Sequence, residues 1–184
     1  PEWTFKVHIP TVGEHNVYNA LAGICVGRTL GVTPQEVNEG LASFNGGNMR
    51  LQVEKIGDYT VINDAYNASP ASMIAAIDAL VQVAKDRKIV VLGDMLELGH
   101  VALEAHRRVG QKVADSKVDI LVTVGQLSAH IVEAAAESGM TSVFACKTHE
   151  EAQMTLKKLI LPGDTLLIKG SRGMKMENML NLFV

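Results

Sequence analysis

From residue 51 onward two patterns alternate along the sequence. Short apolar runs stand at 51–56, 60–62, 88–92, 118–124, 142–145 and 164–169. Stretches with helical spacing fill the gaps at about 70–84, 98–115, 128–138, 149–160 and 174–182. Met73, Ile74, Ile77, Leu80 and Val81 show that spacing most clearly, because residues three and four apart share one helix face. Strands that alternate with helices of this length build a mostly parallel sheet with right-handed crossovers. Ile89-Val90-Val91-Leu92 and Ile120-Leu121-Val122 are apolar on both faces, so the sheet needs cover on both sides. The expected class is therefore α/β, with helices on both faces of the sheet.

Before residue 51 the rhythm differs. Trp3, Phe5, Val7 and Ile9 alternate with polar residues over 2–9, the period of a half-buried strand. A helix is predicted from about Glu14 to Leu30, with Val17, Leu21, Ile24 and Cys25 as its buried stripe and Gly31 at its C-terminal cap. Thr33, Pro34 and Glu36 form a capping box for a second helix, whose buried face would be Val37, Leu41 and Phe44. Asn45-Gly46-Gly47-Asn48 follows, the best linker in the chain, and the domain boundary is placed there, giving 1–47 and 48–184.

Bulk properties narrow the partners. At 184 residues and 47% apolar content the chain can bury a core. A formal net charge of −3 offers no electrostatic case for nucleic acid or an anionic membrane. No apolar run is long enough to span a bilayer. Pro1-Glu2-Trp3 is not a signal peptide, and an opening without Met inside a strand-like pattern is expected of a piece of a longer protein. Cys25 and Cys146, both read as sitting in apolar surroundings, have no partner ligands nearby in sequence, which fits a reducing cytoplasm.

A parallel sheet gathers the C-terminal ends of its strands on one edge, where α/β proteins hold ligands. That edge would carry Asn63-Asp64-Ala65-Tyr66-Asn67, running on to Ser69-Pro70 at a helix start. It would also carry Gly93-Asp94-Met95-Leu96-Glu97, Gly125-Gln126 and Lys169-Gly170-Ser171-Arg172-Gly173. Such a set suits a small polar molecule, although any surface loop carries polar residues. Backbone N–H groups around Gly170–Gly173 can receive a carboxylate or phosphate, and a Gly-rich turn can equally be geometric. No Gly-x-Gly-x-x-Gly fingerprint follows a strand, and no Gly-x-x-x-x-Gly-Lys-Ser/Thr loop occurs.

Asn16 and Asn19 are three apart and share a helix face. Two carboxamides can read an adenine edge; helix capping and a solvated face are the more ordinary account of them. His8, His100, His106, His130 and His149 lack metal spacing and are expected at the surface or just beneath it, so no metal site is predicted.

Several motifs together resemble the Mur ligase family. They are Gly13-Glu14-His15-Asn16-Val17-Tyr18-Asn19-Ala20-Leu21-Ala22, Arg50-Leu51, Asn63-Asp64 extended through Asn67-Ala68-Ser69-Pro70, Leu92–Gly99, and Lys169-Gly170-Ser171-Arg172-Gly173-Met174-Lys175-Met176-Glu177. The Asp-Asn-Pro-Arg of the diaminopimelate-adding branch is absent. The resemblance covers essentially the whole chain and implies a Rossmann-like C-terminal ligase domain at 48–184. Residues 1–47 would be the strand-helix-helix tail of the central ATP-binding domain. It implies an ATP- and Mg²⁺-dependent amide ligase of bacterial peptidoglycan synthesis, cytoplasmic and monomeric, in the branch that joins D-Ala-D-Ala to a UDP-linked muramoyl tripeptide through an acyl phosphate.

Carried over by position, Asn16 and Asn19 would meet adenine, Arg50 the phosphates and Asp64 the ribose. Asn63, Tyr66, Asn67, Ser69, Ser171 and Arg172 would lie near the dipeptide and peptide stem. In that family the P-loop, the metal-binding acid and an essential histidine lie upstream. These 184 residues are therefore expected to hold no catalytic residue, to bind no cofactor tightly and to be inactive alone. The alternatives are another Mur-type or folylpolyglutamate-type ligase domain, or a non-catalytic Rossmann-like binding module.

Overall fold

The structure, a computed structural model, describes residues 4–44 and 46–183. The chain divides into two compact units, Pro1–Gly47 and Asn48–Val184. Asn45 of the linker motif and Trp3 of the N-terminal pattern lie outside the described residues.

The first unit pairs α1 (Glu14–Thr29) with α2 (Pro34–Ala42). Gly31 follows the end of α1 at φ +85°, a left-handed position that glycine fills without strain. The predicted capping box on α2 forms: the Thr33 hydroxyl accepts from the Glu36 N–H, and the Glu36 carboxylate accepts from the Thr33 N–H. Two expectations fail here. Residues 4–9 form no strand, because a strand needs a neighbour to complete its hydrogen bonds and no other strand occurs among the described residues of this unit. α1 also buries none of its residues: of the predicted stripe Val17 is 46% exposed and Leu21 50%, Cys25 is exposed, and Ile24 alone of these four is half-buried. Apolar residues surround α1 on more sides than α2 can cover. On α2, Val37 is buried but Phe44, just beyond its end, is exposed.

The second unit is a six-stranded sheet of order β1-β2-β6-β3-β4-β5. Its strands are β1 (Gln52–Ile56), β2 (Tyr59–Asp64), β3 (Lys88–Gly93), β4 (Ile120–Val124), β5 (Val143–Cys146) and β6 (Thr165–Lys169). Only β1 runs antiparallel, paired with β2. The helices are α3 (Pro70–Val83), α4 (Ala102–Asp115), α5 (Ala129–Glu137) and α6 (His149–Leu159).

Alternate strand residues Val61, Val91, Val122, Leu166 and Ile168 share one buried cluster with Leu156 of α6 and with Met176 and Met179. The intervening Ile62, Val90, Leu121 and Leu167 are equally buried on the opposite face. α3 packs on β6 and β3, α5 on β4 and β5, and α4 on α3 and α5. The α/β class with a mostly parallel, doubly covered sheet is the fold observed.

The last predicted helix differs. Residues 172–174 and 176–183 are 3-10 turns, interrupted by Lys175 at φ +49°. Bonds of i to i+3 type, such as Asn178 N–H to Lys175 C=O, replace the α-helical pattern there.

Strand order is what positions the site. β6 returns late in the chain to lie between β2 and β3. Its C-terminal end is therefore flanked by segment 63–70 on one side and segment 93–97 on the other.

Candidate functional site

The register of β2 against β6 sets Asp64 opposite Lys169. The Lys169 ammonium lies 2.5 Å from Asp64 Oδ2 and 2.8 Å from the Asn67 carbonyl oxygen. The other carboxylate oxygen of Asp64, Oδ1, accepts the Leu51 N–H at 3.0 Å. Burial pushes the Lys169 ammonium below the usual lysine range; the facing Asp64 opposes that shift and Arg50 adds to it.

Arg50 is presented by a bent segment. Met49 (φ +55°) and Leu51 (φ +46°) both adopt the left-handed region, which is strained for residues with a side chain. Several contacts hold this hook. Leu51 is buried, its N–H bonds Asp64, and the Met49 carbonyl accepts the Tyr66 N–H at 3.1 Å. The Arg50 guanidinium sits 4.3 Å from the centre of the Tyr66 ring, a cation–π stack in which Tyr66 remains 44% exposed.

The remaining predicted residues divide by what they touch. The Asn63 carboxamide is buried and accepts the Ala65 N–H, shaping the turn after β2. Asn67 is exposed, and its Oδ1 accepts the Ala68 N–H. Ser69 caps α3, accepting the Ser72 N–H, while its own N–H donates to the Ser72 hydroxyl. Ser171 is buried, accepts the Leu96 N–H at 2.8 Å and donates to the Ala68 carbonyl at 3.5 Å, so it ties segments 63–70 and 93–97 to the end of β6. Arg172 stays exposed, paired with Glu177 at 2.8 Å and 3.7 Å from the Met49 sulfur.

In the first unit Asn16 does not cap α1. Its amide donates to the Val12 carbonyl at 2.7 Å, and its oxygen accepts from Asn19 at 3.2 Å. Gly13 occupies the N-cap position without any side-chain bond. The asparagine pair lines a cavity of about 490 Å³ that Gly23 and Gly27 of α1 and Val37, Leu41 and Phe44 also line.

Three supporting residues escaped the sequence reading. Lys169 stood in the strand-end motif but was assigned no role. Asp94 is buried; its carboxylate accepts the Ser128 N–H and its carbonyl the Ser171 N–H. His106, expected at or just beneath the surface, is fully buried: Nε2 accepts the Met95 N–H at 2.9 Å, so Nδ1 carries the hydrogen that faces the Ala102 carbonyl. A lone histidine on a helix gives no hint of the loop it will meet.

The residues described here do not fit a Mg²⁺ site. No group of three or more His, Cys, Asp or Glu side chains converges among the described residues, and both Asp64 oxygens are engaged. Among the described residues no helix is long and apolar enough to cross a membrane.

A mostly parallel sheet whose C-terminal edge carries a cationic hook and hydrogen-bonding loops defines an α/β domain of the kind that holds polar ligands at that edge. Comparison with known proteins is consistent with that class. Residues 49–172 match the family described as Mur ligase, glutamate ligase domain. The chain belongs to the Mur ligase family. It is 39% identical over 174 residues to UDP-N-acetylmuramoyl-tripeptide–D-alanyl-D-alanine ligase of Bacillus subtilis, an alignment covering 92% of this chain but 38% of that protein. Among solved structures it resembles MurF of Acinetobacter baumannii, with TM-score 0.88, 34% identity and coverage of 98% of this chain and 40% of that one. It also resembles the MurF ligase of Thermotoga maritima in complex with ADP, with TM-score 0.83, 26% identity and coverage of 97% and 40%. The chain thus spans well under half the length of the relatives it matches.

Proposed function

We propose that this chain is the C-terminal part of an ATP-dependent amide ligase of the bacterial cytoplasm. The enzyme joins D-Ala-D-Ala to UDP-N-acetylmuramoyl-tripeptide in peptidoglycan synthesis. Residues 48–184 are its C-terminal ligase domain and residues 1–47 the tail of its ATP-binding domain. The apolar surface of α1 supports the second assignment, since a helix that is apolar on many sides belongs inside a larger domain.

ATP phosphorylates the terminal carboxylate of the tripeptide. The amine of the dipeptide then attacks the acyl phosphate, and a tetrahedral intermediate expels phosphate. This part of the enzyme holds and orients. Asn16 and Asn19 hydrogen-bond adenine, Arg50 meets phosphate charge, and Asp64 receives the ribose hydroxyls. Tyr66, Asn67, Ser69, Ser171 and Arg172 line the acceptor side with Asn63 shaping their loop, and the N-terminus of α3 favours the dipeptide carboxylate. Mg²⁺, when bound, neutralises phosphoryl charge; the side chains that would hold it are not among those described here.

The observation that carries this reading is the strained Arg50 hook locked onto Asp64 and stacked on Tyr66. Backbone strain held by several contacts is a mark of functional sites. The test is phosphate release by the full-length ligase with the UDP-linked tripeptide and ATP. Release should require D-Ala-D-Ala and should not be supported by glutamate or diaminopimelate. Arg50→Ala should lower kcat/KM by about 100-fold, the scale of one lost charged contact to a reacting group. Turnover that ignores the dipeptide would refute the proposal.

A further inference from the structure

We propose that Lys169 is the positioning residue that couples the nucleotide-side carboxylate, Asp64, to the acceptor-side segment 66–70. The inference rests on the functional reading above and adds a residue to which that reading gives no role.

Among the described residues Lys169 is the only buried lysine or arginine, at 2% exposure. Its ammonium reaches two segments to which different substrates are assigned. It meets Asp64 Oδ2 at 2.5 Å and the Asp64 carbonyl at 3.5 Å, and it meets the Asn67 carbonyl at 2.8 Å. An ammonium has three donors, and three acceptors surround this one. Buried ion pairs contribute little to net stability, because an apolar side chain of similar volume avoids the desolvation of both charges. A purely structural pair could be replaced at both positions by apolar side chains of similar volume, so the two charges need another reason.

The contacts around Lys169 supply one. Asp64 also holds the Leu51 N–H beside Arg50, and Ser171, two residues after Lys169, donates to the Ala68 carbonyl. One continuous path therefore runs from the Arg50 hook through Asp64 and Lys169 to the carbonyls of Asn67 and Ala68, immediately before the Ser69 cap of α3. A ribose that draws on the Asp64 carboxylate loosens its hold on Lys169, and the Asn67 carbonyl answers. Coupling between two ligands through one such element is reciprocal.

The test uses the full-length ligase carrying this chain. Lys169→Met should raise the D-Ala-D-Ala KM by about 10- to 100-fold, the scale of a small misplacement of a bound group, with kcat reduced far less. Lys169→Arg should fail to restore the KM, since its planar fork cannot reproduce the three-point contact of an ammonium. A fall in kcat with every KM unchanged means only less folded enzyme and overturns the proposal, as does full rescue by arginine. Amide hydrogen exchange on the wild type keeps the question decidable if the methionine variant does not fold. Adding ADP should change exchange at 66–70, and no change there overturns the coupling. A wild-type enzyme inert toward D-Ala-D-Ala would instead sink the functional reading, and this inference with it.

Discussion

Replacing Gly110 by alanine adds one methyl group where α4 meets α5. On the existing backbone that methyl carbon would lie 2.2 Å from the Ile131 carbonyl oxygen and 2.9 Å from the Ala134 Cβ. A close C–H···O contact needs about 3.3 Å, so α5 must retreat by about 1 Å. It has little room to do so. Ile131 and Ala134 are buried, and the Ser128 N–H before the helix is fixed to Asp94. Overpacking typically costs about 1–3 kcal/mol, and a backbone obstacle belongs at the upper end. Alanine returns about 1 kcal/mol through its better helix propensity. The expected net loss is about 2 kcal/mol, equivalent to about 7 °C in Tm for a unit of this size. Propensity alone predicts the opposite sign.

Urea unfolding followed by circular dichroism reads the difference, with an unchanged slope and a midpoint lowered by about 1 M. The same displacement should disturb the amide resonances of 94–97, because Asp94 holds Ser128 while Leu96 bonds Ser171. Gly23→Ala serves as the opposite case. Its methyl would meet nothing within 4 Å, so propensity should act unopposed and slow amide exchange in α1. A Gly110→Ala midpoint at or above that of the wild type would refute the packing account.

Ser171→Ala removes the hydroxyl that accepts the part-buried Leu96 N–H; it should cost about 1 kcal/mol and speed exchange at that amide, and a silent substitution would remove Ser171 as the tie between the loops. Thiol labelling of the native chain should find one fast cysteine, exposed Cys25, while burial both hides Cys146 and pushes its thiol up; two fast thiols would contradict the packing of β5. Lys169 titrates below the ordinary lysine value in the folded state, so the unfolded chain binds more protons at this site below about pH 10.4. Its contribution is fully present above that value and is lost as pH falls through the folded one. The stability of the wild type relative to Lys169→Met should therefore grow from neutral pH toward about pH 10 in urea titrations, and a flat or falling difference would contradict the direction of the shift.

The second unit was readable from the sequence because its elements state their own periods. Val90 and Leu121 sit in runs too apolar for any exposed face, and Met73, Ile77 and Leu80 repeat at helical spacing, so strands and helices fall where expected. Period alone misled where the neighbours were missing. Phe5, Val7 and Ile9 alternate like a strand, yet alternation cannot supply a partner backbone. The Val17 and Leu21 side of α1 is apolar like a core face, but the pattern says nothing about whether a second layer lies over it. The terminal segment kept helical spacing and still became 3-10 turns, because spacing does not report the left-handed Lys175.

The candidate site was legible as a set of loops and illegible as a set of contacts, for one reason: strand order. Sequence placed Asp64 and Lys169 at two strand ends, but 105 residues separate them. Only the return of β6 to the side of β2 makes them opposite residues in one register. Once it does, several side chains read as free ligand groups turn out to be engaged. Asp64 holds Lys169 and Leu51, Ser171 holds Leu96, and Ser69 holds its own helix. The groups still facing outward are the Arg50 guanidinium on its strained hook, the Tyr66 ring, the Asn67 side chain and Arg172. This edge thus offers two exposed cations and an aromatic face beside a buried ion pair. A ligand that reaches Asp64 shares the carboxylate with Lys169 and the Leu51 N–H rather than meeting a free group.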